Sequence, residues 1–220
     1  MIDLDFSDFI EYFNKDKSTK KIILYIEKIK QGKRFIETCK NSKKEIIVIK
    51  AGKTKQGIQA TISHTASLAT DFEIYKGAFS QSNVKVKEFL AQALTIPKQN
   101  ILPKLKGKKT LIITNAGGAG ALLVDKLSQK NFEPNKIVDL LGTATANDYR
   151  RSLERIKDDY KNIIIILTPQ TMSQPEETAH ILSNSIHKDK IIALFLGDKS
   201  IKSAVEILKQ NKIPVFTRGV

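Results

Sequence analysis

The chain has 220 residues, 41% of them hydrophobic, with a formal net charge of +14. That length and apolar content fit one large or two small globular domains and exclude a chain disordered by composition. The single cysteine, Cys39, excludes an intrachain disulfide and a cysteine metal cluster. No apolar run approaches the ~18 residues needed to span a bilayer, and the opening MIDLDFSDF is acidic where a signal peptide is basic. A soluble chain in a reducing, cytoplasmic compartment, with no membrane partner, is the expectation. Lysines are spread along the whole sequence, Trp is absent, and no stretch interleaves aromatic with basic residues, so nucleic acid is not expected as a partner either. Solvated helix faces and attraction to anionic nucleotides or acyl phosphates are the expected uses of the charge.

In chain order, DFSDFIEYF (5–13) predicts a short helix with Ser7 as N-cap and Ile10 and Phe13 in its apolar set. KIILYI (21–26) predicts a buried strand and leaves Glu27 at its carboxyl end, where open α/β sheets line their ligand crevice. GKRFIETCKN (32–41) predicts an amphipathic helix with Phe35, Ile36 and Cys39 inward, the cysteine as a small core residue. EIIVI (45–49) reads as a second buried strand, broken by the turn chemistry of Lys50-Ala51-Gly52.

The segment that follows is polar and small, and is expected to be a loop; it holds Ser63, His64 and Thr65. A neutral imidazole can accept a phosphoryl group as a covalent nucleophile, and neighbouring hydroxyls and backbone N–H groups can hold the oxygens of the phosphate. A solvated loop histidine is the plainer reading of the spacing by itself. Residues 71–81 predict a helix with Ile74, Tyr75 and Phe79 near helical spacing, 83–86 a short strand or connection, and 87–94 another helix.

PKQNILPKLKGKK (97–109), with two prolines, a glycine and five lysines, reads as a linker. It divides a domain over 1–96 from one over 110–220. The second opens with a strand at 110–113 that runs into Thr114-Asn115-Ala116-Gly117-Gly118-Ala119-Gly120 and an apolar helix through Leu127. A strand, a glycine-rich turn and a helix N-terminus together make an anion site, because unpaired amides and the helix dipole face the loop. Close backbone packing is the alternative use of those glycines. Between 130 and 138 only a short connection is expected. A helix to about 157, strands at 162–167 and 190–196, helices at 176–187 and 201–211 and a terminal strand at 214–216 complete the alternation, with His180 and His187 taken as non-catalytic. The fold class is α/β: two flavodoxin-like or Rossmann-like three-layer subdomains with mainly parallel sheets.

KAGKTKQGIQATISHTASLATDFEIYKGAFSQSNVKV (50–86) resembles the phosphohistidine segment of the ADP-forming acyl-CoA synthetases, relatives of succinyl-CoA synthetase, with Ala66 and Thr70 where the family pattern has glycines. LYIEKIKQGKRF (24–35), IITNAGGAGALLVDKL (112–127) and VDLLGTATANDY (138–149) resemble further motifs of the same family, with Gln31 for an aspartate and Ala119 for a proline. The resemblance implies that His64 takes the phosphoryl group and Glu27 orients and electrostatically supports the imidazole. It also implies that the helix N-terminus at Asn115, Ala116, Gly117 and Gly118 faces the phosphate, with Ser63 and Thr65 beside the histidine. The reaction it implies interconverts acyl-CoA, phosphate and ADP with acid, CoA and ATP through an acyl phosphate and a phosphohistidine.

The family's CoA-binding domain, its S-Q-S-G-A-L turn and its ATP-grasp domain have no counterpart in these residues. CoA, ADP or ATP, and magnesium are therefore expected on a CoA-binding domain and an ATP-grasp domain or subunit, with no cofactor or metal held by this chain alone. A non-catalytic remnant or regulatory scaffold, like the synthetase-like region of some protein acetyltransferases, is the reading from another class.

Overall fold

Two parallel sheets, each with its own apolar core, organise the computed structural model, which describes residues 4–65, 71–88 and 105–217. The chain divides into Met1–Pro97 and Lys98–Val220, a cut inside the expected linker, whose last residue, Lys109, already belongs to a strand. Residues 97–104 of that linker lie outside the described residues.

The first unit runs α1 (Phe6–Lys15), β1 (Lys21–Ile26), α2 (Gly32–Lys40), β2 (Glu45–Lys50), α3 (Lys55–Thr65), α4 (Phe72–Gln81) and β3 (Lys85–Lys87), its sheet ordered β1-β2-β3 and parallel throughout. Period-two alternation turns Ile22, Leu24 and Ile26 to one face, where they meet Ile10 of α1, Phe35 and Cys39 of α2, and Tyr75 and Phe79 of α4. Burial of each such side chain is worth ~1.5–3 kcal/mol, which is what holds helices this short. Cys39 is the core residue expected of it, and burial pushes its thiol up to about 12.

Three expectations are corrected here. Asp5, not Ser7, caps α1: its carboxylate accepts from the Phe6 N–H at 2.8 Å, while its own N–H donates to the Asp8 carboxylate at 2.6 Å. A charged acceptor makes the stronger cap, and Ser7 is left buried inside the helix. Ile74 is on the solvent side of α4. Lys87 closes β3 instead of opening a helix, and 89–94 lie outside the described residues.

The second unit runs β4 (Lys109–Thr114), α5 (Gly117–Gln129), β5 (Glu133–Asp139), α6 (Ala146–Glu154), β6 (Asn162–Leu167), α7 (Pro175–Ser183), β7 (Ile191–Phe195), α8 (Lys202–Gln210) and β8 (Val215–Phe216). Its five parallel strands are ordered β5-β4-β6-β7-β8, the flavodoxin-like order, in which the strand sequence reverses between β4 and β6. Every residue of β6 (NIIIIL) is buried because both faces are covered. Leu111, Ile113, Ile163, Ile165 and Leu167 pack with α6, α7 and α8, while Thr114 on the opposite face meets α5.

The stretch expected as a bare connection is β5. Pro134 conceals it from a propensity reading, yet at an edge strand, beside a register shift between Thr110 and Leu111, a missing N–H costs little. Two further helices stop short of expectation, at Glu154 and Ser183, the latter leaving His187 outside α7.

Gly120 sets the spacing between α5 and the sheet. A Cβ there would lie 2.6 Å from Cδ1 of Ile137 and 3.1 Å from Cγ2 of Thr114. The Ile137 tip can swing away, but Thr114 is β-branched and stiff. Overpacking, at ~1–3 kcal/mol, outweighs the ~1 kcal/mol that alanine gains over glycine inside a helix. Gly120→Val is therefore expected to lower stability by about 3 kcal/mol and Gly120→Ala by about 1, read from urea midpoints at unchanged slope.

Candidate functional site

Parallel pairing in the first unit sets Ile26 opposite Lys50, so β1 and β2 end together. The Ala51 N–H donates to the Ile26 carbonyl at 3.1 Å and carries the pairing one residue further. Glu27 follows at that shared edge, half-buried, with a carboxylate oxygen accepting from the Tyr25 hydroxyl at 3.0 Å.

Lys50, expected in the turn, is the last residue of β2 and only 2% exposed. Its ammonium donates to the Glu27 carbonyl at 2.9 Å and to the Ala51 carbonyl, and sits 4.4 Å from the Tyr75 ring centroid. Tyr75 in turn accepts the Ile29 N–H on its hydroxyl at 3.2 Å. A buried cation thus ties the end of β1, the end of β2 and α4 together directly behind Glu27. The signal available in the sequence was a lysine directly following four consecutive apolar strand residues, where a continuous core pattern has no place for a charge.

Ser63, His64 and Thr65 were expected in a loop, and they are the last three residues of α3. The helix carries two isoleucines, Ile58 half-buried and Ile62 exposed, and seats itself mainly through small residues. The Thr54 hydroxyl caps it by accepting the Gly57 N–H at 3.0 Å, and among its described side chains Gly57 and Ala60 are the buried positions. Gly52, at φ +75°, receives it closely: a Cβ on Gly52 would lie 3.2 Å from the Thr61 hydroxyl oxygen and 3.7 Å from the Ile58 Cα. Thr61 therefore lies over the turn that ends β2, and His64 is about one helical turn further along the axis. The side chains of Ser63, His64 and Thr65 lie outside the described residues.

In the second unit the glycine-rich turn leaves β4 where the strand order reverses, the place at which sheets of this order form their ligand crevice. Four residues were expected to bind phosphate there, and they divide into two kinds. Asn115 is 3% exposed and its side chain is committed: its amide donates to the Thr168 carbonyl at 2.8 Å, and its oxygen accepts the Thr168 N–H at 2.8 Å. The Ala116 N–H is bonded to the Thr114 hydroxyl at 2.9 Å. These two hold the turn in shape. Gly117 and Gly118 open α5, and as the first residues of a helix their amides have no intrahelical acceptor. Tyr149, fully buried, donates its hydroxyl to the Ile166 carbonyl at 2.9 Å, and burial raises its pKa far above the usual tyrosine range. Among the described residues no cluster of three or more His, Cys, Asp or Glu could hold a metal ion, and no helix is long and apolar enough to cross a membrane.

Residues 1–98 match the succinyl-CoA ligase-like flavodoxin domain. The chain is 34% identical to the α subunit of acetate–CoA ligase [ADP-forming] II of Pyrococcus furiosus, an alignment covering 99% of this chain and 54% of that one. It is 33% identical to acetate–CoA ligase [ADP-forming] I of Archaeoglobus fulgidus, covering 97% and 34% respectively. Among solved structures it is 25% identical to acetyl-coenzyme A synthetase 1 of Ca. Korarchaeum cryptofilum, covering 97% of this chain and 53% of that one, with a TM-score of 0.46. The chain thus spans about half the length of the α subunit it matches.

Proposed function

From the premise that this chain belongs to the ADP-forming acyl-CoA synthetase family, in the succinyl-CoA synthetase superfamily, we propose that it carries the phosphoryl-accepting histidine of such an enzyme. His64 takes the phosphoryl group from an acyl phosphate: a ring nitrogen attacks phosphorus, the bond to the acyl oxygen breaks, and a carboxylate leaves. Attack by a terminal phosphate oxygen of ADP then breaks the P–N bond and forms ATP. Glu27 holds the imidazole in the tautomer that leaves the attacking nitrogen unprotonated. The first amides of α5, at Gly117 and Gly118, stabilise phosphate charge in the second unit, and Asn115 and Ala116 keep them positioned.

The observation that carries this reading is the edge where β1 and β2 end together, with Glu27, the buried Lys50 and the start of the His64 helix all leaving from it. CoA, the nucleotide and its magnesium come with a CoA-binding domain and an ATP-grasp domain or subunit. The 220-residue chain alone is accordingly expected to show no turnover of acetyl-CoA, phosphate and ADP in a steady-state assay of ATP formation. Sustained turnover by the purified chain would overturn this division of labour.

A further inference from the structure

At the amino ends of β6 and β7, away from the carboxyl ends where the glycine-rich turn lies, the second unit has a concave site of about 570 Å³. Five lysines line it, Lys106, Lys161, Lys188, Lys190 and Lys212, against one carboxylate, Asp189. Asp159, just outside, takes ion pairs from Lys161 at 2.6 Å and Lys190 at 3.0 Å, so two of the five are partly neutralised. The floor is rigid. Asn162 is 2% exposed; its side-chain oxygen accepts the Lys106 N–H at 2.8 Å and its amide donates to the Thr110 hydroxyl at 3.1 Å, pinning the segment before β4 that carries Lys106.

Lys212 sits at φ +61°, immediately after α8, in a turn where its N–H donates to the Lys209 carbonyl at 2.9 Å and the Ile213 N–H to the Leu208 carbonyl at 2.9 Å. That pattern normally takes glycine. A lysine is held there at a conformational cost, and the residue it presents is a cation on the rim of an already cationic hollow.

We infer that this hollow binds a compact polyphosphate group, of the size and charge of a di- or triphosphate. Ammonium groups serve as point donors to phosphate oxygens, the excess of lysines over carboxylates matches a group of three to four negative charges, and the volume lies in the range of small-molecule sites. A bound anion would also relieve the repulsion among lysines converging on one cavity.

The test is titration of the full 220-residue chain with inorganic tripolyphosphate, ADP and AMP, followed by amide shifts and calorimetry at two ionic strengths. Tripolyphosphate is expected to bind with a Kd of ~100 µM or tighter at low salt, shifting amides at residues 161–162, 188–192 and 211–212. Lys188→Gln with Lys212→Gln is expected to weaken it by ~10-fold or more, while Lys15→Gln with Lys40→Gln, an equal charge change on the first unit, leaves it unchanged. Lys212→Gly separates binding from folding, since it is expected to raise the melting temperature while weakening binding. Equal affinities for tripolyphosphate and ADP identify an inorganic chain as sufficient, and tighter ADP binding adds a nucleoside; both support the site. Absence of binding, equal loss in both double variants, shifts confined to Gly117–Ala119, or tighter binding of an acidic peptide at the same lysines would each overturn it. Phosphorylation of His64 is unaffected by these substitutions, so failure here and failure of the synthetase reading are separable.

Discussion

Supplied with its partner domains and radiolabelled ATP, the chain is expected to acquire a phosphate that is acid-labile and base-stable, and His64→Ala is expected to acquire none. The effect is all-or-none because a covalent nucleophile has no substitute within the motif: the hydroxyls of Ser63 and Thr65 would give an acid-stable ester, which the same assay separates. Glu27→Gln is expected to slow labelling by ~10²-fold, within the range of general acid–base and orienting effects. The amide keeps the size and much of the hydrogen bonding of the glutamate but loses the charge that favours the attacking tautomer. Label persisting in His64→Ala would show that the chain is a scaffold or that another residue accepts the phosphate.

The second large effect is expected at Lys50, and it is one of stability. Removing a buried cation can relieve desolvation, and where the partner is another buried group of good geometry an apolar replacement is often neutral. Here the ammonium is the donor to two main-chain carbonyls at strand ends, Glu27 and Ala51, and both would lose it together. A buried acceptor left unpaired costs ~1–3 kcal/mol, so loss of the two outweighs the relief. Lys50→Met, which keeps the stem, is expected to destabilise the first unit by about 2–4 kcal/mol, and Lys50→Ala by about a further 1–2 through the cavity left beside Tyr75. Hydrogen exchange at the β1 and β2 amides in urea reports on that unit by itself. Unchanged protection in Lys50→Met would mean that the carbonyls find water or another donor.

Where periodicity was strong, the sequence was sufficient. KIILYI and NIIIIL are strands at the residues expected, because a short, nearly continuous apolar run flanked by polar residues has one economical burial, and Cys39 falls inward because it lies one helical turn after Phe35. The failures share a cause. The helix holding His64 buries glycine and alanine among its described side chains, with Ile58 half-buried and Ile62 exposed, so much of its reason for existing lies in the turn at Gly52 that it packs against, a contact with no local signature. β5 was concealed by Pro134, whose cost depends on being at the sheet edge, a property of strand order. Lys50 was read by its charge, while its position was decided by the carbonyls waiting for it. Glu27 was placed correctly because a strand end is a property of the strand. The pairing of Asn115 was not legible, since its partner Thr168 is remote in sequence.

That last pair has a consequence for timing. By exchanging both of its amide groups with the main chain of Thr168, Asn115 behaves as one more rung between β4 and β6 just where the two chains would otherwise diverge. The loop entropy of the glycine-rich turn is therefore lost when the domain folds and not when an anion arrives. A turn of Ala-Gly-Gly composition would on its own be among the most mobile in the chain. Locked in this way, the turn would meet the phosphate of the proposed function as a rigid body, and association there is expected to require no prior search of backbone conformations.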